Sequence, residues 1–180
     1  MRASYAEYRE IEEYEHECGR FFDAIVLTAG TGATISGLAA ALNEAENAGT
    51  RPKDTRLIGF SAARSSAREL EVIHKNLDIF GAGRGTEYSR MPEIIDKYLC
   101  GGYGCFDKEI ERVIAACEEK KVPLDPTYTG KSFRGMLEEA KLGNIRGRVL
   151  FIHTGGYPVY LDYCSRRGSG EALPAPSAFT

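Results

Sequence analysis

The sequence predicts an α/β fold in three layers, a mainly parallel sheet flanked by helices. Three observations carry this reading. Apolar runs at 22–28, 56–61 and 149–152 are continuous rather than alternating, as suits strands buried on both faces. Stretches of helical periodicity separate them. Two of the runs end in loops rich in glycine and threonine, Gly30 to Thr34 and His153 to Gly156, and in parallel sheets ligands bind beyond such strand ends.

In chain order, Tyr5, Tyr8, Ile11, Tyr14 and Cys18 recur at spacings of three and four, which predicts an amphipathic helix over 5–18 with its tyrosines packed on the core. Phe22 to Thr28 holds the first strand, and the loop Ala29 to Thr34 opens an alanine- and leucine-rich helix from Ile35 to Glu46. Pro52 breaks the chain, Arg56 to Ser61 forms the second strand, and a helix follows around Ala67 to His74. Gly81 to Thr86 reads as a surface loop. Asp107 is suited to cap a helix that carries Ile110, Val113, Ile114 and Cys117 on one face. Pro123 and Pro126 hold the chain extended around Asp125. Phe133, Met136, Leu137 and Ala140 then define a helix that ends near Gly143 and Asn144. Val149 to Ile152 is the third buried strand, and 165–180 is expected to be a disordered tail behind a partial α/β domain at 1–164. No internal repeat is present.

A length of 180 residues suffices for one sizeable core. With 23 basic and 26 acidic side chains the net charge is −3, which offers no electrostatic attraction for nucleic acid or an anionic membrane. No apolar run approaches the ~20 residues of a membrane span. Met1 to Arg20 is charged and tyrosine-rich, unlike a secretory signal. The five cysteines and three histidines are scattered without a C-x-x-C pair, so no metal site is expected and the thiols read as free in a reducing cytoplasm.

The loop Gly30-Thr31-Gly32-Ala33-Thr34 has the parts of an anion cup: small residues that expose backbone amides, hydroxyl donors, and the positive end of the following helix. A dinucleotide fingerprint would need glycine where Ile35 stands and an acid where Ser61 stands. A Walker loop would need glycine where Asp125 precedes Gly130-Lys131-Ser132. Two readings remain, a phosphate cup without a lysine and a tight turn that binds nothing.

Together with Leu124-Asp125-Pro126-Thr127-Tyr128-Thr129-Gly130-Lys131, Phe151-Ile152-His153-Thr154-Gly155-Gly156, and Gly101-Gly102-Tyr103-Gly104 ahead of the helix from Asp107, the loop resembles a known pattern. It is similar to the D-cysteine desulfhydrase and 1-aminocyclopropane-1-carboxylate deaminase family, from about Tyr5 to Tyr163. The resemblance implies part of the large domain of fold type II, pyridoxal 5′-phosphate as cofactor, and a small amino acid as substrate. By position it implies that Gly30, Thr31, Gly32, Ala33 and Thr34 hold the cofactor phosphate, with Ala33 where the family has glycine. It places Tyr103 and Tyr128 on the two active-site tyrosines, Thr129 beside them as a further cofactor-binding residue, and Thr154 on the cofactor opposite the pyridine nitrogen.

A threonine hydroxyl leaves that nitrogen largely unprotonated, which suits β-elimination, and Thr129 stands where deaminase members carry glutamate. Both features lean toward release of sulfide, pyruvate and ammonia from D-cysteine, with cyclopropane ring opening as the alternative.

Family members anchor the cofactor on a lysine that precedes the glycine loop, yet the 29 residues before Gly30 contain none. The eight lysines present (Lys53, Lys75, Lys97, Lys108, Lys120, Lys121, Lys131 and Lys141) match regions without that role. The expectation is a C-terminal portion of the enzyme, inactive alone, acting as a homodimer or with a separately encoded N-terminal half. A non-catalytic remnant that binds phosphate ligands or serves as an interaction module is the second reading. An unrelated nucleotide-binding domain is the third. Lys131 is expected to start a helix and face solvent, and His153 to be a satisfied structural histidine.

Overall fold

A computed structural model describes residues 1–169. Its elements are α1 (Arg2–Cys18), β1 (Ala24–Ala29), α2 (Ala33–Asn47), β2 (Arg56–Ser61), α3 (Ser66–Ala82), β3 (Glu93–Ile95), α4 (Lys108–Glu118), α5 (Thr129–Lys141), β4 (Val149–Ile152) and α6 (Tyr157–Ser169). The four strands form one sheet in the order β3-β2-β1-β4, every pair parallel.

The continuous apolar run of β1 has the cause inferred from sequence: all six residues are buried. Ile25 and Leu27 join Leu57 of β2 in a cluster with Tyr8 of α1, Leu38 and Leu42 of α2, and Ile73 and Leu77 of α3. Ala24 and Val26 point the other way, with Ile58 and Phe60, against Met136 of α5 and Tyr98. Each large side chain buried in this way contributes roughly 1.5–3 kcal/mol. A third cluster of Ile110, Ile114, Leu124 and Tyr163 joins α4 and α6, with Phe133 of α5 packed on it.

α1 is held by a buried ion pair as well as by packing. Arg51 Nη2 donates to Glu15 Oε1 at 2.7 Å, and Glu15 also accepts from the Phe22 amide at 2.7 Å, so both charges are fully bonded.

The topology determines where a ligand can sit. The chain passes from β1 to β2 to β3 across α2 and α3, then returns through α4 and α5 to place β4 on the far side of β1. The order of strands reverses between β1 and β4, and a crevice opens there at their carboxyl ends. The loops at 30–34 and 153–156 leave the sheet at this point.

The structure corrects several expectations. β4 is half-buried rather than buried, because it is an edge strand and pairs only with β1. α3 runs on to Ala82, so the loop expected at 81–86 starts later. β3 and α6 were not foreseen, and α6 carries helix through 165–169, where a disordered tail was expected; the remainder of that segment, 170–180, lies outside the described residues. No helix of the described residues is long and apolar enough to cross a membrane.

Candidate active site

The first turn of α2 stands open at the crevice. Gly32 is its N-cap, with φ 76°, a left-handed conformation that favours glycine. A Cβ there would lie 3.2 Å from Val72 Cγ1, so space as well as conformation selects glycine. α3, α4 and α5 close their N-termini with side chains, whereas α1, like α2, has no side-chain cap. Ser65 accepts from the Arg68 amide, and Asp107 accepts from the Glu109 and Ile110 amides. At α5, Asp125 accepts from the amides of Thr127, Tyr128 and Thr129. α2 has no such cap, only a long contact of 3.5 Å from the Ala33 amide to Thr31 Oγ1. Amides left in this state at the positive end of a helix suit an anion such as a phosphate.

The loop is braced from behind. Arg64 Nη1 donates to the Gly30 carbonyl at 2.8 Å and to Glu69 Oε2 at 3.3 Å. Glu69 is fully buried, and burial raises its pKa. Beneath the loop, Ser36 Oγ donates to the Gly32 carbonyl at 2.7 Å. Arg64, Glu69 and Ser36 carry no motif signal and were missed by sequence reasoning.

The two tyrosines meet. Tyr128 Oη donates to Tyr103 Oη at 2.8 Å, with the rings edge to face and centroids 5.8 Å apart. That bond and burial push the Tyr128 phenol up to about 12. The Tyr128 ring faces Gly30, whose Cβ position lies 4.0 Å from Tyr128 Cε1. The structure thus brings the cup and the tyrosine pair together.

Thr129 is placed differently. It is completely buried, its hydroxyl donating to Asp125 Oδ2 at 2.7 Å and accepting from the Asp125 amide at 2.9 Å. Its side chain braces the turn rather than facing the crevice. Asp125 is the organiser here, and a Cβ on Gly156 (φ 96°) would collide with its carboxylate, so the β4 loop lies directly against it. An Asp-Pro ahead of a helix is a capping signal that could have found this role.

Thr154 is exposed and shares a cavity of about 570 Å³ with Thr34, His153, Leu38, Ile152 and Tyr14. His153 Nε2 donates to the Pro123 carbonyl at 2.7 Å, and its Nδ1 accepts from the Gly155 amide at 3.3 Å. Both ring nitrogens are bonded, as expected for a structural histidine.

Lys131 overturns its expectation. It is 1% exposed, and its Nζ donates to the carbonyls of Ala62, Leu99 and Gly102. The whole first turn of α5 is buried in the crevice, so the helix start that was expected to face water faces inward. Among the described residues no group of histidine, cysteine or acidic side chains could hold a metal.

Comparison with known proteins agrees with this geometry. The family model described as pyridoxal-phosphate dependent enzyme matches residues 7–155. A Pyrococcus furiosus protein named "Putative 1-aminocyclopropane-1-carboxylate deaminase" is 33% identical over 148 residues, covering 82% of this chain and 43% of that protein. A Thermotoga maritima protein of the same name is 35% identical over 146 residues, covering 75% of this chain and 41% of that protein. A solved structure described as an ACC deaminase homologue superposes with a TM-score of 0.73 at 30% identity, covering 82% of this chain and 44% of its own. The chain thus spans less than half the length of the relatives it matches. An open α2 amide cup, a tyrosine pair beside it and this match over 7–155 lead to one conclusion: the chain belongs to the pyridoxal-phosphate dependent enzyme family, with the fold of its type II members.

Proposed function

We propose that this chain supplies the phosphate-holding and tyrosine-bearing part of a lyase of the D-cysteine desulfhydrase type. The observation that carries the reading is Tyr128, bonded to Tyr103 and lying against Gly30 at the mouth of the cup. In this reading the amides of Thr31, Gly32, Ala33 and Thr34 hold the cofactor phosphate, and Thr154 presents its hydroxyl to the ring nitrogen. The cofactor, when bound, would supply an electron sink for charge that develops on the amino-bearing carbon of the substrate.

The chain's own groups hold and move protons around that charge. Tyr128, held up to about 12, keeps its phenol proton at neutral pH and acts as a donor rather than a standing base. Because Tyr128 Oη donates to Tyr103, the Tyr103 hydroxyl proton is left for a ligand. Thr129 offers no carboxylate and has its hydroxyl occupied by Asp125, which supports elimination over ring opening. The names of the relatives favour a second reading, 1-aminocyclopropane-1-carboxylate deamination.

The test pairs this chain with the lysine-bearing portion of one relative, adds pyridoxal phosphate, and assays both substrates. The proposal expects sulfide, pyruvate and ammonia from D-cysteine, and a fall of about 10²–10⁴-fold in Tyr128→Phe. Ammonia and 2-oxobutanoate from the cyclopropane substrate alone would select the second reading. Unaltered turnover in Tyr128→Phe would remove Tyr128 from the chemistry.

A further inference from the structure

The segment that presents Tyr103 is held at its flanks, with Cys100 packed on the third cluster and Cys105 buried, but glycines make up most of what lies between. Cys100 (φ 55°), Gly101 (φ 93°), Gly102 (φ 119°) and Gly104 (φ 75°) all have left-handed backbone, three of them glycines without side-chain packing. No atom lies within 4 Å of a Cβ built on Gly102 or Gly104. Tyr103 itself is 58% exposed. Glycines in this state give a chain its greatest freedom, so a fixed Tyr103–Tyr128 bond requires an anchor from elsewhere.

Lys131 provides one. Its ammonium has three N–H donors, and three carbonyl oxygens surround it: Ala62 at 3.2 Å, Leu99 at 2.9 Å and Gly102 at 2.5 Å. Ala62 directly follows β2 and is itself tied to β1, its amide donating to the Ala29 carbonyl at 3.0 Å. Leu99 and Gly102 close the turn just before Tyr103, the Gly102 amide donating to the Leu99 carbonyl at 3.1 Å. Every donor of the buried cation is matched to an acceptor, and hydrogen bonds to a charged donor are the strong kind. Lys131 also lies three residues beyond Tyr128, so one helix start carries the first tyrosine and the clamp for the second.

We propose that Lys131 is a positioning residue, whose buried ammonium ties the turn at 99–102 to the end of β2 and so sets Tyr103 on Tyr128. The role concerns the tyrosine pair of the site proposed above and rests on that reading for its use in catalysis. It requires no bound cofactor, so a failure of pyridoxal phosphate to bind would leave the following readout untouched. Burial lowers the pKa of Lys131, a cost of taking the ammonium out of water that the three carbonyls offset.

The experiment is amide hydrogen exchange on the full chain, comparing wild type with Lys131→Ala. Exchange at 99–105 should rise by about tenfold or more, while β1 and α2 keep their protection. Ammonium chloride should restore part of the protection in Lys131→Ala by supplying a small cation to the three carbonyls, and sodium chloride at the same concentration should not. Unchanged exchange at 99–105, an equal rise in β1 and α2, or absence of ammonium rescue would each overturn the proposal. If Lys131→Ala does not fold, acylation of wild type decides the matter. Lys131 should react only at the rate at which 99–105 opens, whereas reaction as fast as that of the exposed Lys53 and Lys120 would contradict the clamp.

Discussion

Glu69 shows what a single side chain contributes beneath the cup. It has no exposed surface, one oxygen accepts from Arg64, and Oε1 has no hydrogen-bond partner among the described residues. Burial raises its folded pKa above the ordinary 4.5. A carboxyl raised in the folded state contributes stability that is fully present below the unfolded value and is lost as pH rises through the folded one. Glu69→Gln removes that loss. Its melting temperature relative to wild type should therefore improve as pH rises from about 4 to about 7. Thermal melts at the two pH values check this, and a difference that does not change with pH would contradict it. At this scale the sequence was only partly legible. Tyr103 and Tyr128 were singled out by the resemblance of their motifs alone, and the burial of Lys131 was not legible, since helical spacing identifies a face but not which end of a helix enters the core.

The element that shapes the crevice is the start of α5. Asp125 takes four donors, the amides of Thr127, Tyr128 and Thr129 and the Thr129 hydroxyl, at 2.7–3.0 Å. These are bonds to a buried carboxylate at a helix N-terminus, each stronger than a neutral one. Asp125→Ala should cost about 2–3 kcal/mol in urea unfolding, and Asp125→Asn about half of that because the amide keeps one acceptor oxygen. A cost within error of zero for Asp125→Ala would show that the turn stands without its cap. The prolines around Asp125 were legible as extended chain, but the capping was not drawn from them. α6 was missed for a related reason. The glycines at 155 and 156 suggested a loop, although Pro158 in the first turn is a recognised sign of a helix start. β3 is three residues long, too short for any period to be read.

At the scale of the whole molecule, sequence yielded the layers and left the edges unread. Continuous apolar runs show that a strand is covered on both faces, which β1 and β2 confirm, but they do not show how many strands lie beside it. β4 carries the same kind of run and sits half-exposed at the edge, lining the cavity that Thr34 and Thr154 share. The chain spans 43% and 41% of the length of the two relatives quoted. In the reading proposed above, the cup at 30–34 takes the cofactor phosphate through backbone amides. The most direct measurement is an amide-resolved nuclear magnetic resonance titration of this chain with pyridoxal 5′-phosphate, with pyridoxal as control and Gly32→Val as the blocked cup. The largest shifts should fall on the amides from Thr31 to Ile35, pyridoxal should bind at least about tenfold more weakly, and Gly32→Val should abolish the shifts. Shifts centred elsewhere, or equal binding of pyridoxal, would contradict it.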